Sequence, residues 1–452
     1  MSTPLQIPEL LIQIGESLDH PSLVSLSHVD RFTYTVATPL LLRDVAISLK
    51  SKSFPLFASA IRSNQSLAAF CKSLSFSNVQ PPYSFELQEN LIAILNAACV
   101  HHNLASLSLQ GMLNAGVGPL PERVWIAIAA SGSSVEVLKL CMRIVKAEWM
   151  PLTNAHFTRL RVFHLDVRFA SSAGTDYAPL QHLLESLSDL EDLDIYFPVF
   201  HPTPGMTWQS RHPCLKRFSI RGGGNIRNSK FLARNPQIQT LRVHTEQAFE
   251  PVFDSPIHTL DLDSKFPNPW RAIIHSPIVH LCLRDVSNYP LVQQFIRATQ
   301  STLRCLEIQF LGHPGDRHFP ESVLGLIIIP PTLDELAVLG TWKNGFNLAP
   351  CAFPDTMIHQ ILGALGPNSS LRALRVRCSK DFSLQDHPDA LGQLPPFLKY
   401  ISCEVHYNTK CRLHLIDRED RKGFVSKTLR RRSPDDWAEK SVLRYFGEAW
   451  TE

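Results

Sequence analysis

The sequence predicts an α/β solenoid. A curved parallel sheet takes one short strand from each repeat, and the chain returns through helical or irregular arms. An all-α unit precedes the array and a capping helix follows it. Three observations lead there. A short apolar pattern recurs along most of the chain. Turn-forming residues stand just before many of its copies. The two ends follow other patterns.

The pattern is plainest in two stretches, DSPIHTLDLDS (254–264) and HSPIVHLCLRD (275–285). Reduced to apolar-x-x-apolar-x-apolar, it recurs as LASLSL (104–109), VEVLKL (135–140), LRVFHL (160–165), LEDLDI (190–195), LKRFSI (215–220) and IQTLRV (238–243). It continues through IHTLDL (257–262), IVHLCL (278–283), LRCLEI (303–308), LDELAV (333–338) and LRALRV (371–376). CKSLSF (71–76) and LKYISC (398–403) are looser copies at the two ends. The central residues advance in steps of 19 to 38. Asn235-Pro236, Ser255-Pro256, Ser276-Pro277 and Pro330-Pro331 punctuate the copies. The alternating half of each copy has strand periodicity, with apolar side chains inward and x residues outward. Between copies, residues 177–190 and 289–303 carry helical spacing, with Pro179 and Pro290 near the start, where proline is tolerated. The pattern resembles the leucine-rich repeat, in which each unit buries its apolar face against its neighbours. About 12–13 such repeats are expected. The asparagine or cysteine expected after the strand is mostly absent and the steps are uneven, so the chain resembles the irregular repeats of fungal leucine-rich-repeat proteins.

The N-terminal stretch stands outside the pattern. Leu11, Ile14 and Leu18 share a helical face, and Pro8 suits a first helical turn. Pro21 can open a second helix carrying Leu23, Leu26 and Val29, with Phe32 beyond it. One reading is a helical cap for the first repeat. The other comes from resemblance. Ile7-Pro8-Glu9-Leu10-Leu11, Leu18, Leu23, Val29, Arg31 and Phe32 are similar in order to an F-box, a resemblance that covers about 40 residues. The family's cysteine is replaced by Asp30, its tryptophan by Phe32 and the acidic residue before Leu23 by Ser22. The resemblance implies an F-box docking a Skp-type adaptor on a cullin scaffold, with the repeats holding a protein substrate for ubiquitin transfer (an SCF-type ligase). It nominates Ile7, Pro8, Leu11, Ile14, Leu18, Leu23, Leu26, Val29 and Phe32 as adaptor-binding, some of which must pack internally instead. The expected division is residues 1–48 for the F-box-like unit, 49–410 for the solenoid and 411–452 for the C-terminal cap.

The x residues of the central rungs are the expected substrate contacts on the concave face. They are Asp192, Asp194 and Tyr196, then Arg217 and Arg221, then Arg242 and His244. Further along come Asp261 and Asp263, His280 and Arg284, Glu307, and finally Arg375 and Arg377. Their signs alternate in blocks, which suits a protein or peptide. A nucleic-acid backbone needs a continuous basic track, and a net charge of +3 gives no such excess.

Other chemistry is weakly encoded. CEVHYNTKCRLH (403–414) contains two C-x-x-H pairs, but its alternation predicts a hairpin with Cys403 facing His414 and His406 facing Cys411. Residues three apart on a strand point to opposite faces, so the four could not share one metal. RGGGNIRN (221–228) lacks the rest of a phosphate-binding loop. No hydrolase, zinc-protease or kinase signature occurs, so neither an enzyme nor a cofactor or metal is expected. The ten cysteines form no close pairs and read as reduced core thiols. No signal peptide or membrane-length apolar run is seen, so a cytosolic or nuclear location is expected, without membrane or nucleic-acid partners. Ser433-Pro434 can start a last helix, with Ala438, Val442, Phe446 and Trp450 as its apolar stripe.

Overall fold

A computed structural model describes residues 8–79, 84–111, 120–142, 150–153, 155–167, 178–197, 210–222, 231–244, 256–263, 276–286, 289–312, 330–344, 347–351, 361, 365, 369–378, 394–405, 410–416 and 424–430. The chain divides into two compact units, Met1–Gln237 and Ile238–Glu452. Both are α/β, and both carry a parallel, solenoid-like sheet.

The first unit opens with helices α1 (Pro8–Ser17), α2 (His20–Ser27) and α3 (Arg31–Arg43). Asp19 caps α2, its carboxylate accepting the Ser22 amide at 3.0 Å, and Pro21 sits in the first turn as its fixed φ allows. Asp30 and Thr33 form a reciprocal box at the start of α3. The Asp30 carboxylate accepts the Thr33 amide at 2.7 Å, and the Thr33 hydroxyl accepts the Asp30 amide at 3.0 Å. Asp30 therefore has a structural use that cysteine could not supply. Gly15 lets α1 close on its neighbours, since a β-carbon there would lie 2.5 Å from Leu40 Cδ1 and 3.4 Å from Leu23 Cδ2.

Strand β1 (Asp44–Ser48) follows α3 without a break and pairs in parallel with β2 (Ser73–Val79). Sequence reading misses β1, although Leu42-Arg43-Asp44-Val45-Ala46-Ile47 carries the full apolar-x-x-apolar-x-apolar pattern, because that stretch reads as the end of the N-terminal helical unit. The sheet continues through β3 (Ser106–Gly111), β4 (Val137–Met142), β5 (Val162–Val167), β6 (Asp192–Phe197) and β7 (Arg217–Gly222), each parallel to the last. The arms include α4 (Ser53–Ser63), a 3-10 segment (Gln65–Phe70), α5 (Phe85–Val100), α6 (Glu122–Ala130), α7 (Met150–Thr153), α8 (Ala178–Ser186) and α9 (Phe231–Arg234). The helical spacing read over 177–190 is α8.

Two inward rows make this unit's core. Leu74, Leu107, Leu138, Phe163, Leu193 and Phe218 lie side by side across β2–β7, and all are buried. Phe76, Leu109, Leu140, Leu165, Ile195 and Ile220 form the second row. Each fully buried side chain contributes about 1.5–3 kcal/mol relative to exposure. A column of carbonyls sets the register. At the start of each rung from β3 to β7, two successive amides donate to one carbonyl of the preceding repeat. Arg161 and Val162 share Glu136 O (2.8 and 3.0 Å), Glu191 and Asp192 share Arg161 O, and Lys216 and Arg217 share Glu191 O.

His212 and Asn235 tie the outer arms of this unit together. The buried His212 ring lies with Nδ1 2.8 Å from Leu187 O and Nε2 2.9 Å from Ser210 Oγ. A carbonyl only accepts, so Nδ1 carries the proton and Nε2 accepts from the Ser210 hydroxyl. The Asn235 side chain accepts the His212 amide at 2.7 Å and donates to Phe231 O at 2.9 Å. Burial pushes the His212 pKa below its ordinary 6.5, against the smaller opposing pull of the Leu187 carbonyl. The unfolded chain then binds a proton that the folded chain refuses. Stability from this group is complete above about pH 6.5 and is lost as pH falls below it. Urea unfolding at pH 7.5 and 5.5 is expected to show a lower midpoint in acid, and His212→Gln is expected to flatten that difference.

The second unit repeats the plan with β8 (Thr240–His244), β9 (Thr259–Asp263), β10 (His280–Val286), β11 (Cys305–Gly312), β12 (Glu335–Asn344), β14 (Ala373–Cys378) and β15 (Tyr400–Val405) in parallel. Helix α10 (Tyr289–Thr299) realises the second predicted helical arm. Inward rows run from Leu241 to Ile401 and from Val243 to Cys403, and both end members are buried. The carbonyl column recurs, as where Arg304 and Cys305 share Val279 O.

Three antiparallel strands were not anticipated in this form. β13 (Asn347–Cys351) pairs with the far half of β12, while the near half of β12 pairs with β14. β16 (Lys410–Ile416) and β17 (Phe424–Arg430) fold back in turn beyond β15. The predicted hairpin of β15 and β16 is present, but its register is corrected by two residues. Cys403 stands opposite Arg412, His414 opposite Ile401 and Cys411 opposite Glu404. Apolar–polar alternation repeats every two residues, so it cannot distinguish registers that differ by two. His406 and the predicted C-terminal helix with Ser433, Pro434, Ala438, Val442, Phe446 and Trp450 lie outside the described residues. No described helix is long and apolar enough to cross a membrane.

Candidate functional site

Two surfaces stand out from the packed core. The first is formed by the N-terminal helices. The nominated face of α1 divides in the structure. Leu11 is fully buried and Leu18 partly so, whereas Ile14 is 45% exposed and Pro8 lies in solvent. On α2, Leu23 is internal and Leu26 half-buried; Val29, in the turn that follows, is 67% exposed. Phe32 is half-buried on α3, and Ile7 lies outside the described residues. Leu10, Ile12 and Tyr34, not nominated from sequence, are exposed. At 100° per residue, Leu10 and Ile14 flank the buried stripe of α1 on one side and Ile12 on the other. The helices thus close a small core of their own around Leu11, Leu23 and Ala37 and still present apolar side chains on both flanks of α1.

The second surface is the outward face of the sheets. In a parallel sheet the x residues of successive strands align into columns. In the first unit Asp192 is buried and holds Arg217 at 3.0 Å, with the His164 ring at 3.3 Å. Asp194 takes a bidentate fork from Arg221 (2.8 and 3.3 Å), whose guanidinium sits 5.7 Å from the centre of the Tyr196 ring.

In the second unit the middle column reads Arg242, Asp261, Cys282, Glu307, Ala337, Arg375 and Ser402. Asp261 is its hub. Arg242 Nε lies 2.9 Å away, Arg284 reaches it through Nε and Nη2 at 2.8 and 2.9 Å, and His244 Nε2 donates at 2.7 Å. Burial by itself would raise the Asp261 pKa, but the Arg284 charge and the His244 contact hold it well below the carboxylate range. Burial outweighs the pull of Asp261 on His244, so that ring is neutral at pH 7. Ala337 is small enough for Arg375 to reach over its strand to Glu307 at 3.6 Å. His280 stands in the neighbouring column beside Thr259 and Cys305. The side chains of Asp263 and Arg377 lie outside the described residues.

The nominated charges are therefore brought together, but chiefly with one another. The rungs at 104–109, 135–140 and 160–165 place Ser108, Lys139 and His164 on the same face, in one column with Asp194 and Ser219. The repeat pattern already contained these three, and reading their x positions would have found them. Cys71, Cys99, Cys214, Cys282 and Cys305 are free thiols, and burial pushes Cys71 and Cys99 up to about 11, outside the range of reactive thiolates. No group of three or more His, Cys, Asp or Glu suited to a metal occurs among the described residues. No protein-family model matches the chain, and no curated protein is similar to it in sequence.

Proposed function

We propose that the chain is a substrate receptor of a cullin-type ubiquitin ligase. Its N-terminal helices dock a Skp-type adaptor, and the outward face of its repeats holds a protein substrate. One observation carries the reading beyond the F-box resemblance. Caps that close a solenoid present a polar outer face. Here Leu10, Ile12, Ile14, Val29 and Tyr34 stay in solvent although the helices have completed their own core. Large apolar residues are also exposed on the repeats, as at Leu56 and Phe85, but five of the twelve exposed among the described residues fall within this short stretch, and that concentration supports a partner surface. Such a receptor acts by proximity, raising the effective concentration of substrate lysines near the transferring enzyme. The rival is a repeat scaffold whose helices are a cap.

The test is binding of the purified chain to a Skp-type adaptor, compared with an Ile14→Asp/Val29→Asp variant. Leu11 and Leu23 are unsuitable positions, because burial makes their substitution unfold the helices. The native chain is expected to bind and the variant to bind at least about 30-fold more weakly, the loss of one central hot spot. Circular dichroism should find both folded. Failure of the folded native chain to bind would overturn the proposal in favour of the scaffold.

A further inference from the structure

The sheet of the first unit begins on β1, and the outer edge of that strand is open. The Leu49 amide donates to Ser77 O at 3.0 Å, and Arg43 O accepts the Lys72 amide at 2.9 Å, so the odd-numbered backbone groups of β1 face β2. Successive backbone groups of a strand point to opposite sides. The amides of Ala46 and Ser48 and the carbonyls of Asp44 and Ala46 therefore face away from β2. None of these four has a hydrogen-bond partner among the described residues. Ser48 O, on the same side, accepts the amide and the hydroxyl of Ser51. Asp44 and Ala46 are exposed, so solvent reaches this edge. A row of unpaired backbone groups on an open edge is a template for a further strand.

The inward rows are unfinished at the same place. Val45 and Ile47 continue the rows of Leu74 and Phe76, yet they are only half-buried, whereas Leu74 and Phe76 are inaccessible. A strand beside β1 completes both rows if it carries two apolar side chains two residues apart. Charge adds a further condition. Lys50 and Lys52, just past the end of β1, are exposed and have no ion pair among the described residues. At the start of the strand Arg43 is balanced by Glu16 and Asp44. A second copy of β1 fits this edge poorly, because antiparallel pairing about Ala46 would bring Lys50 and Arg43 of opposite copies together.

We propose that the open edge of β1 binds an extended segment of another protein by antiparallel strand addition. The segment carries apolar-x-apolar opposite Ile47 and Val45, preceded by acidic residues that meet Lys50 and Lys52. Antiparallel pairing is the more stable per residue, and this chain itself adds β13, β16 and β17 in that sense. The middle residue of the segment exchanges two hydrogen bonds with Ala46, and the residues two before and two after it reach the Ser48 amide and the Asp44 carbonyl. This site goes beyond the receptor reading and does not rest on it, since the exposed apolar residues of the N-terminal helices take no part.

Selection of displayed random ten-residue peptides on the immobilised full-length chain supplies the probe. Enriched peptides should share apolar-x-apolar after one or two Asp or Glu. In a selected peptide, N-methylation of the residue between the two apolar ones should abolish binding, and N-methylation of either apolar residue should preserve it, because only alternate amides face β1. Ala46→Pro should weaken the peptide at least about tenfold by removing the Ala46 donor. It should leave the unfolding midpoint nearly unchanged, since that amide gives nothing to β2 and an edge strand tolerates proline. Lys50→Glu with Lys52→Glu should weaken the peptide about fivefold or more and turn a fresh selection towards Lys or Arg. No enrichment, or binding indifferent to the methylation pattern or to the lysine reversal, would overturn the proposal. A dimer seen by sedimentation and dissociated by Ala46→Pro would also overturn it, by giving the edge to a second copy. Adaptor binding, measured on the same variants, should not change, so the failure of one proposal is distinguishable from the failure of the other.

Discussion

Asp261→Ala is expected to destabilise the second unit by about 3–5 kcal/mol, the cost of breaking a buried ion pair from one side. The carboxylate is nearly inaccessible and serves Arg242, Arg284 and His244 together. Its removal leaves two guanidinium groups against each other in a poorly solvated face. Urea unfolding should show the lower midpoint, and hydrogen exchange should rise first in β8–β10. Replacing the cluster together, with Asp261→Leu, Arg242→Met and Arg284→Met, should restore most of the loss, because buried ion pairs seldom exceed well-packed apolar groups in stability. A single-variant loss below about 1 kcal/mol would show the cluster to be solvated and of surface strength. Because the folded-state pKa of Asp261 is held well below 3.8, its contribution is complete above about pH 4 and disappears only as pH falls further.

Phe163→Ala is expected to cost about 3–5 kcal/mol through lost transfer energy and an unfilled cavity. Phe163 is fully buried on β5, between Leu138 of β4 and Leu193 of β6. In a stacked array each repeat is stabilised by its two neighbours, so a cavity in a middle rung weakens both interfaces. Exchange in β4, β5 and β6 should accelerate together. Phe163→Leu should recover the larger part of the loss, and equal losses for Ala and Leu would argue against a cavity mechanism.

The strands were legible because inward rows require apolar residues at fixed spacing. The central residues read from sequence, from Leu107 to Ile401, are the members of one inward row in each unit. The helical arms at α8 and α10 were legible for the same reason. Chemistry on the outward face was harder to read. Asp192, Asp194 and Asp261 resemble solvated surface charges in sequence, because nothing local says that Arg217, Arg221 or Arg284 will arrive from another repeat. The division of α1 into buried Leu11 and exposed Ile14 depends on how α2 and α3 approach, which one helix's periodicity does not specify. β13 was missed because N-L-A-P-C has no regular alternation, and the β15–β16 register because a shift of two preserves every inside–outside assignment.

Within each unit, successive rungs such as β3–β7 and β9–β12 hang from a single carbonyl of the rung before, so their place does not depend on how much chain lies between. Nineteen residues separate Leu241 from Leu260, and 38 separate Leu336 from Leu374, yet the rows stay aligned. The longer interval contains β13, a strand laid against β12 without displacing β14. Arm length is thus a nearly neutral variable for heredity. A gene of this design can gain or lose whole segments between rungs while the outward columns pass unchanged to its descendants. New surface can then arise by insertion alone, with no step at which the fold must be rebuilt.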